Sequence, residues 1–191
     1  LDARASSPDD VPTPPPSSEE LTTGDSLPPP SSSCRPVDPV GVLGNAKDLR
    51  DALLLTLSTV VAAARADVGL YHRPRADLEA LVIAGAHGAG AERLLGEKIL
   101  PTDPTWHAVR CGATVLVEPC PGEVGRHMLG RLRRCVEGAR GAALVPLTIG
   151  GELVAAFEIG RSQRLFSARE LGRVEDIVEA LGEHIVIMGW H

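Results

Sequence analysis

Two apolar segments meet at a pair of glycines, and this arrangement constrains the fold more than any other feature of the chain. Residues 142–149 and 152–159 are rich in aliphatic and β-branched side chains, and only Gly150 and Gly151 separate them. Two glycines in a two-residue connection favour a β-hairpin, because both central positions accept a positive φ. The sequence therefore predicts an antiparallel strand pair near the carboxyl end.

Amphipathic helices are predicted at both ends of the segment that contains this hairpin. Ser167 followed by Glu170 is a capping box, and apolar residues at helical spacing continue to Met188. Near the other end, Asn45 is the predicted cap of a helix that runs to about Ala66. Both helices have one apolar stripe, which predicts that each packs on the same kind of surface, a sheet face.

Shorter elements are predicted between these helices. Two strands, joined by a turn at 74–77, are followed by a short helix capped by Asp103, a further strand, an irregular stretch at 119–130 and a helical turn. The predicted bounds are 68–73 and 78–86 for the two strands, 114–118 for the third and 131–137 for the helical turn. Strands that are adjacent in sequence predict an α+β fold with an antiparallel sheet. Its end helices cover one face, and the other face is left for a ligand pocket.

The first 40 residues differ from the rest. They hold ten of the 16 prolines and carry two arginines against seven acidic residues. Their few apolar side chains offset too little of the cost of ordering the backbone, which is about 1–2 kcal/mol per residue. We expect residues 1–40 to be a disordered linker and residues 41–191 to be the folded domain. Since the chain begins with Leu1, an upstream domain is also expected.

Composition excludes several classes of function. The 191 residues include 19 Lys and Arg against 25 Asp and Glu, and this acidic balance disfavours nucleic-acid binding. The longest nearly apolar run, 52–64, is shorter than the roughly 18 residues that a membrane span requires. Four cysteines without a Cys-x-x-Cys pair argue against a disulfide scaffold or a zinc knuckle. We therefore expect neither nucleic acid nor membrane as a partner.

Several segments together resemble the GAF domain family. The resemblance lies in Gly141-Ala-Ala-Leu-Val-Pro-Leu147, Ile149-Gly-Gly-Glu-Leu-Val-Ala155, and Phe166-Ser167 with Glu170-Leu171, and it covers roughly residues 46–187. It implies a small-molecule sensor or regulatory domain of a cytoplasmic signalling protein, without catalytic activity. It also implies a homodimer formed through the terminal helices, and a fused or partner effector domain.

Signatures of two ligand-binding branches of that family are missing. Arg161-Ser162 stands where cyclic-nucleotide-binding members carry Asn-Lys, and no cysteine is followed by the histidine that is common at bilin attachment sites. The sequence therefore identifies neither the ligand nor a cofactor. Four histidines, at positions 72, 87, 107 and 127, lack the i, i+4 spacing of a helical metal pair, and no metal site is predicted.

Six residues are predicted to line the ligand pocket. They are aromatic or charged residues of the central segment and of the hairpin: Trp106, His107, Arg110, Arg140, Phe157 and Glu158. Aromatic rings suit stacking on an apolar ligand, and guanidinium groups suit an anionic one. Arg126, Arg131, Arg133 and Arg134 add positive charge to the segment expected to overhang the pocket.

Two alternatives remain open at this stage. Some proteins that resemble this family are free methionine-(R)-sulfoxide reductases, and Cys135, beside several arginines that lower a thiol pKa, is then the expected nucleophile, with Cys111 or Cys120 nearby. The other alternative is a purely structural dimerisation module, in which side chains such as Trp106 and Phe157 fill the pocket.

Overall fold

The structure is a computed structural model that describes residue 41 and residues 43–190. The predicted linker at 1–40, with Cys34, lies outside the described residues. The described helices are α1 Leu49–Ala64, α2 Pro104–Arg110, α3 Glu123–Leu132 and α4 Ala168–Met188. The strands are β1 Val68–Arg75, β2 Ala80–His87, β3 Lys98–Ile99, β4 Val115–Leu116, β5 Gly141–Ile149 and β6 Glu152–Arg161. Every helix in this part of the chain is too short or too polar to cross a bilayer.

All six strands form one antiparallel sheet, as predicted. Their order is β3-β2-β1-β6-β5-β4, so that the first and the last strand of the sequence pair at its centre. The predicted hairpin is confirmed: β5 and β6 meet at Gly150 and Gly151, whose φ angles are 60° and 84°. A glycine pair is required there because both positions adopt a left-handed conformation.

The two end helices pack on one face of the sheet, which confirms the predicted arrangement. Their apolar stripes form a core with Tyr71, Phe157 and Ile159 of the central strands. The larger buried members of that core from α1 and α4 are Leu53, Leu57, Val60, Val61, Val174, Ile177, Val178, Leu181 and Ile185. Burial of these aliphatic side chains is the main stabilising contribution on this face, at about 1.5–3 kcal/mol for each one.

A second core lies on the opposite face of the sheet. It contains Leu70 and Ile83 from the sheet, Val109 from α2, and Met128 and Leu132 from α3. The two short helices therefore cover the face that α1 and α4 leave free. The face predicted to hold a pocket is roofed by this pair of helices.

One buried arginine joins the ends of three elements beside the first core. Arg161, at the end of β6, donates hydrogen bonds to the carbonyl of Ala64 in α1 and to the carboxylate of Glu170 in α4. Glu170 also completes the predicted capping box with Ser167. Hydrogen bonds from Arg161, and then from Arg164, hold the pKa of Glu170 well below its usual range despite partial burial.

Two predictions about the first helix and the first strand were wrong. The cap of α1 is Asp48, which accepts a hydrogen bond from the Asp51 amide, and not Asn45. The turn after β1 lies at 76–79, because Pro74 belongs to the strand. Proline has no backbone N–H to donate. This is tolerated at Pro74 because β6 pairs with β1 only as far as His72.

The stretch predicted to be irregular contains α3, and the helix ends where a helical turn was predicted to begin. The prolines and glycines of this stretch argued against a helix, but the structure accommodates them. Pro121 precedes the helix, and Gly125 lies within it, where an added Cβ would be 3.0 Å from Pro121 and 3.2 Å from Val117. A glycine at position 125 thus permits close packing at the expense of helix propensity.

The packing of Gly85 against Tyr71 gives a test of the first core. A Cβ at position 85 would overlap the Tyr71 ring, and this ring is fully buried. We expect Gly85→Ala to lower the free energy of unfolding by about 1–3 kcal/mol. The matched control is Gly172→Ala in α4, where the added methyl group meets no neighbour within 4 Å, and a gain of about 0.5–1 kcal/mol is expected. Urea denaturation measures both, and equal effects would contradict the described packing.

Candidate functional site

A carboxylate and an imidazole lie fully buried on the α2–α3 side of the sheet. Glu158 of β6 and His72 of β1 are both 0% exposed, and His72 Nε2 lies 2.8 Å from Glu158 Oε2. The two side chains share one sheet face because β1 and β6 are adjacent and pair His72 with Ala156, two residues from Glu158. A buried carboxylate needs a compensating charge as well as hydrogen bonds.

Arg131 of α3 supplies that charge. Its Nε donates to Glu158 Oε2 at 3.1 Å, one terminal nitrogen donates to Asp103 Oδ2 at 3.3 Å, and the other donates to Thr105 Oγ1 at 3.2 Å. Asp103 is the N-cap of α2, and Thr105 lies in its first turn. One guanidinium group therefore connects α3, the N-terminus of α2 and the central strand β6.

The three charged groups stabilise one another. Burial alone would raise the pKa of Glu158, but the charge of Arg131 and the hydrogen bonds from His72 and Arg131 outweigh it, and the pKa is lowered. Burial would likewise lower the pKa of Arg131, yet Glu158 and Asp103 raise it. The pKa of Asp103 is lowered against its own partial burial by hydrogen bonds from Thr105 and by the charge of Arg131. All three groups are thus charged at neutral pH.

The cluster is not fully satisfied. His72 Nδ1 is buried and finds no hydrogen-bond partner among the described residues. The exposed His127 approaches Asp103 from outside, with 3.6 Å between Nδ1 and Oδ1. Glu158 and Asp103 place two carboxylates around the single guanidinium group of Arg131, so the interior of the cluster is rich in acceptor oxygens.

Of the six predicted pocket residues, Glu158 alone belongs to this cluster. Trp106 and Arg110 lie together on α2, with the Arg110 guanidinium 5.4 Å from the Trp106 ring centroid. Both line an open groove of about 470 Å³ with Pro74 and Leu81. An arginine above an indole is a favourable cation–π arrangement, and both side chains border the groove.

The other three predicted residues lie elsewhere. His107 is exposed and lines a separate groove between α2 and α3. Arg140 is exposed near Arg133 and Arg164. Phe157 belongs to the core beneath α1 and α4, where its ring centroid is 6.4 Å from that of Tyr71. Successive strand residues face opposite sides, so Phe157 cannot share a pocket with Glu158.

The sequence reasoning missed His72 and Thr105 as site residues and treated Asp103 only as a helix cap. His72 follows four apolar or small residues in a buried strand. A polar residue at such a position needs a buried hydrogen-bond partner, and this could have marked His72 as a site residue. Its contact with Glu158 spans 86 positions of the sequence, so the sequence alone could not show it. Arg131 was recognised as one of several arginines, without its partner.

The expected effect of arginines on Cys135 is not observed. Burial raises the pKa of the Cys135 thiol, and the neighbouring Arg134 lowers it by less. Arg134 is instead paired with Glu97, Arg131 with Glu158, and Arg133 donates to the carbonyl of Ala139. Cys111 and Cys120 are exposed free thiols. In the described part of the chain, no three His, Cys, Asp or Glu side chains are grouped as metal ligands.

Comparison with known proteins identifies the fold. No protein-family model and no curated sequence matches the chain. The GAF domain of an Acinetobacter phosphoenolpyruvate-protein phosphotransferase superposes with a TM-score of 0.60 at 15% identity, covering 78% of this chain and 88% of that one. Free methionine-R-sulfoxide reductase from Neisseria meningitidis gives 0.58 at 16% identity, with 78% and 84% covered.

Part of a chromophore-binding domain has the same fold. The chromophore-binding domain of Stigmatella aurantiaca phytochrome P1 superposes with a TM-score of 0.59 at 14% identity, covering 76% of this chain and 57% of that one. The chain described here thus corresponds to little more than half of that domain. Together these likenesses show that the chain has a GAF fold, which confirms the resemblance found in its residues.

The buried ion pair gives a second test. Arg131→Ala leaves Glu158 buried without its main countercharge, and we expect a loss of about 3–5 kcal/mol in the free energy of unfolding at pH 7. The matched control is Arg134→Ala, which removes a more exposed arginine–carboxylate pair and should cost less than about 1 kcal/mol. Equal losses in the two variants would contradict the described cluster.

The same variant has a predicted pH dependence. Because folding lowers the pKa of Glu158, the pair stabilises the protein above the unfolded value of about 4.3 and stops doing so as pH falls through the folded value. The penalty of Arg131→Ala should therefore shrink between pH 7 and acid pH. Denaturation of both proteins across this range measures it.

Proposed function

We propose that this chain is a regulatory domain of GAF fold, which binds a small molecule on the α2–α3 side of the sheet and passes the occupancy of that site to α1 and α4. The observation that carries this proposal is the buried cluster of Glu158, Arg131, His72 and Asp103. Sensor domains are common among proteins of this fold, and the phytochrome domain named above binds a chromophore.

Stability alone would favour apolar residues over such a cluster. Buried ion pairs contribute little net stability compared with well-packed apolar residues, because desolvation opposes the Coulomb attraction. Groups whose pKa values are shifted by specific charge partners beneath a covering element are concentrated at functional sites. The cluster also lies under two short helices, α2 of seven residues and α3 of ten.

Strand β6 offers a direct mechanical route between the two faces. Glu158 faces the cluster, while its neighbours Phe157 and Ile159 pack beneath α1 and α4. At the end of the same strand, Arg161 is hydrogen-bonded to both terminal helices. A shift of β6 at Glu158 would thus alter the packing of α1 and α4. The contacts of these helices would then differ between the liganded and the unliganded state, as coupling requires.

Hydrogen exchange of intact protein tests this coupling. At amides that exchange by local opening, and so do not report the global loss of stability, Arg131→Ala should speed exchange in α4 and α1 as well as in α2 and α3. Arg134→Ala should leave α4 unchanged. Changes confined to α2, α3 and β6 would contradict the proposed transmission and would favour a purely structural module. A metabolite panel screened by thermal shift then searches for the natural ligand.

We further propose that the domain is a homodimer formed through its terminal helices, in a cytoplasmic signalling protein with a fused or partner effector domain. The C-terminal turn of α4 exposes Val186, Ile187 and Met188, with Ile187 79% exposed. Beside them, a groove of about 560 Å³ is lined by Leu147, Ile149 and Gly182. Apolar residues grouped in this way favour contact with another protein surface.

Sedimentation tests the dimer. The wild-type protein is expected to sediment as a dimer, and Ile187→Asp should shift it towards the monomer without loss of fold, because this side chain makes little contact within its own chain. Arg173→Gln is the control, because it is an exposed change in the same helix, lies outside the groove and alters the net charge by the same amount. A monomer mass that is independent of concentration in the wild-type protein would contradict the proposal.

The solved reductase of the same fold makes a thiol enzyme the second candidate. Its mechanism would need a reactive thiolate, whereas burial raises the pKa of Cys135. We therefore expect no turnover of free methionine-(R)-sulfoxide with a dithiol reductant. Turnover that Cys135→Ser abolishes would overturn this expectation and identify the protein as an enzyme.

A further inference from the structure

The acceptors around Arg131 form a receptor for one planar cation. Glu158 offers both carboxylate oxygens, at 3.1 and 3.4 Å from Nε, and Asp103 and Thr105 accept from the two terminal nitrogens. All three nitrogens of the guanidinium group are thus bound. A planar fork of N–H donors matches such a set, whereas the single point charge of an ammonium group does not.

These acceptors do not belong to the helix that carries the arginine. Glu158 comes from β6, and Asp103 and Thr105 come from the start of α2, so the receptor remains if α3 moves. His72 holds Glu158 from the sheet side, and its own Nδ1 is buried without a partner in the described part of the chain. Glu158, His72 and Thr105 are each 0% exposed, which shows that the receptor is built into the interior.

The helix that carries Arg131 has a low intrinsic helix propensity. Gly122 at its start provides no side-chain cap, and Gly125 and Gly130 lie within its ten residues. Each internal glycine costs a helix about 0.5–1 kcal/mol relative to alanine. Met128, Leu129 and Leu132 still anchor α3 in the second core, so a ligand has to displace the Arg131 side chain and not the whole helix.

We infer that Arg131 is a built-in occupant of a binding site for guanidinium or amidinium compounds, and that a ligand of this class displaces it. This inference rests on the proposed regulatory function and names the ligand class of the same site. With Arg131 withdrawn, two carboxylates remain in the receptor and require a cation. The unliganded domain is then held in its closed state by its own side chain, and a ligand competes with α3 for Glu158.

Chemical rescue of Arg131→Ala tests this inference. Guanidinium chloride at up to about 20 mM, far below denaturing concentrations, should raise the melting temperature of the variant by at least about 3 °C. The wild-type protein should respond less, because Arg131 occupies the site. Urea, which is neutral and planar, and sodium chloride at equal ionic strength should not rescue the variant.

The matched control is Arg134→Ala, whose carboxylate partner Glu97 lies near the surface. Guanidinium should not stabilise this variant. If Arg131→Ala is unfolded in buffer, guanidinium is expected to restore its circular dichroism spectrum. Arg131→Gln is the second variant, since its neutral amide can still donate to Glu158 and retain the fold while leaving the cation site vacant.

The inference is overturned if guanidinium stabilises neither Arg131 variant more than it stabilises Arg134→Ala, or if urea acts equally well. Its failure is distinguishable from that of the proposed function. Rescue without altered hydrogen exchange in α1 and α4 would support the ligand class and contradict the coupling. Altered exchange in those helices without rescue would support the coupling and contradict the ligand class.

Discussion

The ion pair between Glu158 and Arg131 is the interaction on which the second face of this domain depends. It places a carboxylate from the centre of the sheet against a guanidinium from a covering helix, at 3.1 Å and with almost no exposure of either side chain. Without Arg131, the desolvated carboxylate would have to bind a proton, recruit water or move. The position of α3, and through Asp103 the N-terminus of α2, follows from satisfying that one buried charge.

The alternation of side chains along β6 divides the domain into two cores with different chemistry. Phe157 and Ile159 join an apolar core under the long terminal helices, while Glu158 between them faces the polar cluster. An irregularity in the β5–β6 pairing near Leu147 reverses this order at the start of the strand, so that Leu153 packs with the second core and Val154 with the first. One strand thus supports both a rigid face and a face that carries charge.

Local signals in the sequence predicted much of this fold, and long-range pairing accounts for what they missed. The Gly150-Gly151 hairpin, the Ser167–Glu170 capping box and the Asp103-Pro104 helix start each depend on residues within a few positions of one another. In contrast, Arg131 and Glu158 are 27 positions apart, and their contact depends on a helix hidden by glycines and prolines. Glu158 was a predicted site residue because it lies on the strand face opposite Phe157 and Ile159, but its partners depend on the register of the sheet.

A double-mutant cycle between Arg131 and Glu158 measures the strength of this buried ion pair. The free energy of unfolding would be measured for the wild-type protein, Arg131→Ala, Glu158→Gln and the double variant, all at neutral pH. The structure predicts a coupling energy of at least about 1.5 kcal/mol, because each single change leaves a buried polar partner behind and the double change removes both charges. Additive effects, within about 0.5 kcal/mol, would show that the two side chains do not form the pair on which this account depends.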